Sequence, residues 1–165
     1  MEIQLLRTDN CVSEIMNKYA DMVFRLCLVQ LKNKADAEDA FQEIFIKLFE
    51  KSPLFHDEKH LKAWLITVTS NHCKNKFRSY WYKNRVNIEE IIIPIENKKD
   101  QEVIKYVMEL PLKYRTVIYL YYYEGYSTKE IAGLLKSKEA TVRTRLARGR
   151  ELLKHHLKVG GFPDE

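Results

Sequence analysis

Residues 138–148 read Lys-Glu-Ala-Thr-Val-Arg-Thr-Arg-Leu-Ala-Arg, a run that sets Arg143, Arg145 and Arg148 among Thr141 and Thr144. Guanidinium groups pair with phosphate oxygens or the guanine edge, and threonines offer a hydroxyl and a methyl to base edges. A second run, Lys74, Lys76, Phe77, Arg78, Tyr80, Trp81, Tyr82, Lys83 and Arg85, interleaves cations with aromatics. That composition suits phosphates and unpaired bases together. Bond-making chemistry has no comparable support. No Ser/His/Asp order with supporting context, phosphate-binding glycine loop or paired carboxylates in an apolar pocket can be identified. His56, His60, His72 and Cys73 show no metal-ligand spacing, and His155-His156 reads as a solvated pair. The expectation is a binding protein, not an enzyme, with no metal or other cofactor.

The charge distribution sharpens this. The net charge is +5, yet residues 1–58 hold 7 basic and 11 acidic side chains while residues 59–85 hold 7 basic and none acidic. Residues 86–124 are again acidic, and 125–165 carry 9 basic against 5 acidic groups. Clustered Lys and Arg are the electrostatic footprint of polyanion binding, because each phosphate contact releases condensed counterions. Two footprints suggest two contacts with nucleic acid.

Helical periodicity dominates the elements that must position these groups. Ala37, Ala40, Phe41, Ile44, Phe45 and Leu48 recur at three and four, predicting one buried stripe over residues 36–48. Residues 15–31 repeat the pattern. After Pro53 a loop containing Phe55 leads to a helix whose expected core residues are Leu61, Trp64, Leu65 and Val68. Ser127 and Glu130 form a capping box before the short apolar face Ile131, Leu134 and Leu135, and Gly125 suits a left-handed stop just upstream. A three-residue turn at 136–138 precedes a longer helix that buries Ala140, Val142, Leu146 and Leu153. A short helix, a tight turn and a basic second helix predict a helix-turn-helix reader of the major groove. The whole is expected to be all-α, with helical domains at 1–83 and 101–165 joined by a linker at 84–100. Within that linker residues 91–95 must dock to escape water, and residues 159–165 are expected to fray.

Broad classes fall away on composition. The chain is 45% hydrophobic and 31% charged, and its longest apolar stretch is far too short for a membrane span. The first seven residues contain an early acid and no sustained apolar core, so they do not read as a secretion signal, and a cytoplasmic location is expected. Cys11, Cys27 and Cys73 are odd in number without paired spacing, consistent with reduced thiols.

Leu110-Pro111, Arg115, Glu124-Gly125, Ser127, Glu130-Ile131-Ala132 and the run from Thr141 through Val142, Arg143, Thr144 and Arg145 to Leu146 fall in the order and spacing of a known family. They resemble region four of the bacterial sigma-70 class RNA polymerase sigma factors, extracytoplasmic-function (ECF) group. Residues 36–48 resemble that family's region two, and Ala63-Trp64-Leu65 through Asn71 resembles the promoter-reading helix that follows. The resemblance implies a transcription initiation factor with core RNA polymerase and promoter DNA as partners. It also implies an anti-sigma factor, whether membrane-anchored or not, and no small-molecule substrate. A stand-alone helix-turn-helix regulator is the alternative, and it leaves residues 36–48 and 59–85 without a role.

The resemblance also implies roles for individual residues. Asp39, Gln42 and Glu43, with Ile46 on the same stripe, match positions that engage the polymerase clamp. Phe55 and Asn71 match positions that hold a base flipped from the minus-ten element, with Lys74, Lys76 and Arg78 on its phosphates. Lys138, Glu139, Ala140, Thr141, Arg143 and Thr144 would read the minus-thirty-five element, while Arg145 and Arg148 hold its backbone. Three positions depart from the pattern. Lys136 stands where glycine is usual, predicting left-handed backbone; Ser137 replaces an apolar residue and is expected to serve as N-cap; Ser70 replaces a basic one.

Overall fold

The computed structural model describes residues 9–51, 55–83, 94 and 98–159, which form seven α-helices in two compact units, 1–91 and 92–165. In the first unit α1 (Asp9–Leu31), α2 (Lys34–Lys51) and α3 (Glu58–Lys83) pack mutually. α1 begins six residues before the periodic segment, and buries Ile15, Tyr19, Met22, Val23, Leu26 and Cys27 at spacings of three and four. α1 ends at Lys32 in the left-handed region (φ 57°), and Asn33 caps α2, its Oδ1 accepting from the Asp36 N–H at 2.9 Å. α2 buries Ala37, Ala40, Ile44, Phe45 and Leu48, whereas Phe41 is half-exposed and meets Phe24 edge-on at 6.0 Å. Each fully buried large side chain contributes about 1.5–3 kcal/mol. Asp57 caps α3 in the same way, accepting from the His60 N–H at 2.7 Å.

α3 departs from the expected one-sided stripe. Leu61 and Leu65 are buried, but so are Ile66, Thr69, Ser70 and Cys73, while Trp64 and Val68 are only half-buried. The reason is that α3 packs against α1 and α2 together, so its buried face is broad and rotated away from Trp64.

The second unit comprises α4 (Lys98–Glu109), α5 (Leu112–Tyr122), α6 (Thr128–Leu134) and α7 (Glu139–Val159). α4 starts within the segment expected as linker, with Asp100 in its first turn to complement the helix dipole. Pro111 cannot continue α4, and the freed carbonyl of Leu110 accepts from Arg115 Nη1 at 2.8 Å. Arg115 is buried, which lowers its pKa to about 10. Linker residues 84–93 and 95–97 and tail residues 160–165 lie outside the described residues. So does most of the segment 91–95 expected to dock. No described helix is long and apolar enough to cross a membrane.

Candidate nucleic-acid interface

The helix-turn-helix is built by its caps. Ser127 Oγ accepts from the Glu130 N–H at 3.1 Å while Glu130 Oε1 accepts from the Ser127 N–H at 3.2 Å, completing the capping box, and Gly125 has φ 74°. α6 closes with Lys136 at φ 52°. The Ser137 N–H reaches the Ala132 carbonyl at 2.9 Å, and the Lys136 N–H the Gly133 carbonyl at 3.4 Å. This is a Schellman stop with a lysine where glycine would cost least. Ser137 is not the N-cap of α7, correcting the sequence-based expectation. Its Oγ instead donates to the Leu135 carbonyl at 3.4 Å, because the stop has already committed its backbone, and α7 begins at Glu139.

α7 buries Val142, Leu146 and Gly149 and exposes Arg143, Thr144 and Arg148, with Thr141 and Arg145 half-exposed. Lys138 and Ala140, expected to reach DNA, are exposed and Glu139 is half-buried; Ala140 is therefore not among the buried residues of α7, contrary to what its spacing predicts, and Leu153 is only half-buried. Glu139 ties the helix start together: its Oε1 accepts from Thr128 Oγ1 at 3.2 Å and lies 3.5 Å from Arg143 Nη1. The Thr144 hydroxyl donates to the Ala140 carbonyl at 2.9 Å, so its hydrogen is committed to the helix backbone. In front of this face lies an open groove of about 380 Å³ lined by Ala140, Thr141, Thr144, Arg145 and Arg148 of α7 and by Lys113 and Tyr114 of α5. Sequence reasoning missed the last two, since nothing local joins α5 to α7.

In the first unit, Trp64, Asn71 and Arg78 are seven residues apart, which places them on one face of α3 close to Lys74. Asn71, Lys74 and Arg78 are exposed, and Lys76 is half-buried. Phe55 is fully buried, its ring edge-on to Trp64 at 5.8 Å and to His60 at 5.3 Å. The expected open aromatic is therefore a support, and the half-exposed Trp64, expected in the core, is the ring that shares a face with Asn71. Side chains of residues 80–83 and residue 85, the end of the cation-aromatic run, lie outside the described residues.

On α2 Asp39, Gln42, Glu43 and Ile46 are all exposed, Ile46 at 52%. An apolar side chain in an acidic, solvated stripe fits an interaction face. Glu43 also has an unexpected neighbour, with His72 Nε2 2.6 Å from its Oε2. That link was invisible in the sequence because the two residues sit on different helices.

Residues 15–82 match the family described as Sigma-70 region 2, and residues 100–153 the family described as Sigma-70, region 4. The chain is 30% identical to the ECF RNA polymerase sigma factor SigW of Bacillus subtilis, over 88% of each chain. The chain belongs to the ECF sigma factors. It is likewise 30% identical to SigM of the same organism, covering 87% of this chain and 93% of that one. Among solved structures its fold resembles the sigma factor RpoE of Bartonella quintana, crystallised with the anti-sigma factor NepR. The TM-score is 0.69 at 23% identity, over 89% of this chain and 96% of that one. Within an ECF sigma factor, the departure at Ser70 has a simple packing account: Ser70 is 5% exposed, so a long cation there would have to leave the α3 core.

Proposed function

We propose that this ECF sigma factor binds core RNA polymerase through the α2 stripe Asp39, Gln42, Glu43 and Ile46, and carries it to promoters read by two separate surfaces. The observation that carries the reading is one chain presenting a helix-turn-helix and, on a second unit, a helix face that pairs an indole and an amide with cations. α7 enters the major groove of the minus-thirty-five element. Arg143, Thr144 and the turn formed by Lys138, Glu139, Ala140 and Thr141 meet base edges, and Arg145 and Arg148 hold phosphates. Glu139 orients Arg143 by ion pairing, which supplies direction without burying either charge.

At the minus-ten element, Trp64 stacks an unpaired base whose edge Asn71 reads, and Lys74, Lys76 and Arg78 track the single-strand backbone. Phe55 acts beneath Trp64 by fixing its tilt. A restraining anti-sigma partner covering these faces is part of the proposal. Run-off transcription tests the whole: the chain with host core polymerase should initiate at a discrete start on a promoter chosen from genomic fragments that it enriches. Enrichment of operator-like fragments without initiation supports the stand-alone regulator and overturns the proposal.

A further inference from the structure

The groove between α5 and α7 contains three cations, Lys113, Arg145 and Arg148, and no acid among its lining residues. Tyr114 sits among them, with Lys113 Nζ 4.9 Å from its ring centroid. Desolvation pushes the Tyr114 phenol pKa up, but the neighbouring Lys113 and Arg148 cations outweigh it and the net shift is downward. Beside two cations, neither of which carries an acceptor lone pair, the phenol can offer its own O–H to an acceptor in front of the groove. The nearness of α5 to α7 follows from one residue. Gly149 has no side chain, and a Cβ there would come within 2.9 Å of Ile118 Cγ1 and 3.5 Å of Tyr114 Cβ. Pro111 provides no side-chain cap for α5, so the helix opens toward the groove with its dipole uncompensated.

We infer that Lys113 and Tyr114 form a second arm from α5 that, with Arg145 and Arg148, grips a backbone phosphate flanking the major groove read by α7. The inference rests on the reading of α7 given above and adds two residues and a defined ligand, a DNA phosphodiester. Three charges and a neutral donor converging from two helices fix the rotation of α7 about its axis, and so set which bases Arg143 reaches.

The test uses the full chain on a duplex enriched from a randomised pool, with neutral methylphosphonates placed one at a time along the backbone. The parent should lose affinity at one or two positions. At those positions Lys113→Ala should be insensitive to the modification, and its log–log salt slope should fall by about 0.9. Tyr114→Phe should bind about two- to tenfold more weakly with the slope unchanged, since it removes a neutral donor. If methylphosphonates couple to Arg148→Ala but to neither α5 variant, the second arm is overturned while the α7 reading stands. If, in addition, Arg143→Ala leaves sequence preference unchanged, the α7 reading falls with it.

Discussion

His72 Nε2 lies 2.6 Å from Glu43 Oε2, joining the α3 residue next to Asn71 to the exposed stripe of α2. Lys47 Nζ stands 3.4 Å from the other ring nitrogen. In a neutral ring the lone pair of Nδ1 can face the Lys47 ammonium, while the Nε2 contact with the carboxylate is close but not aligned as a hydrogen bond. A neutral ring agrees with its surroundings. Burial lowers the His72 pKa from 6.5, the Glu43 carboxylate opposes this, and Lys47 and Lys76 push it further down.

Stability should therefore depend on pH in a defined direction. The folded pKa is below the unfolded one, so the unfolded chain takes up the proton first. The contribution is fully present above the ordinary histidine pKa and is lost as pH falls through the depressed folded value. Urea melts from pH 8 down to about 5 should show a falling midpoint, and His72→Gln should remove part of that fall. An identical pH slope in the variant would dissociate His72 from acid sensitivity.

The same pair refines what charge reversal does. Glu43→Lys places a third cation beside Lys47 and Lys76, so about 1 kcal/mol or less of stability should go, the pair being half-exposed. Glu43→Gln keeps the shape without the charge. Both should weaken association with core polymerase, Lys more than Gln, in a sedimentation or fluorescence titration. Equal affinity for parent and both variants would make the stripe a solvated surface.

At the proposed minus-ten surface the buried Phe55 should matter less directly than the half-exposed Trp64 that rests on it. Trp64→Ala and Asn71→Ala should lower open-complex formation while leaving binding to minus-thirty-five duplex nearly intact, because stacking is worth about 1–3 kcal/mol per base. Phe55→Leu, which keeps the buried volume apolar, should do so more mildly, and Phe55→Ala should cost about 3–5 kcal/mol of folding stability as well. A template with a pre-mismatched bubble should partly rescue Trp64→Ala and Asn71→Ala. Full opening by Trp64→Ala would return that ring to a packing role.

Arg143 and Arg148 should differ in kind. Arg143→Ala should change sequence preference at a cost of about 1–3 kcal/mol, while Arg148→Ala should weaken all duplexes alike and flatten the salt dependence. Uniform loss from both substitutions contradicts the division.

Much of this was legible because it is local. The α2 stripe, the Ser127–Glu130 capping box, Gly125 and the left-handed Lys136 all follow from neighbours within a few residues. What failed to show was set by packing between distant segments. Trp64 and Phe55 exchanged their expected environments because α3 serves two partners at once and rotates to satisfy both. Ser137 missed its expected capping role because the stop of α6 claimed its backbone first. Cys27 and Cys73, 46 residues apart, are both buried, and hydrogen bonding to Cys73 together with burial pushes the Cys27 thiol pKa up. The expectation of free thiols there stands, and both should resist alkylation until the chain unfolds.

The most direct test is permanganate footprinting of a double-stranded promoter with the chain alone, with core polymerase alone and with both. Unpaired thymines at the minus-ten element should appear only when both are present, and Asn71→Ala should suppress them without releasing the duplex. If the chain occupies its site equally well without polymerase and the polymerase adds no unpaired bases, the protein acts on duplex DNA by occupancy and the account is contradicted.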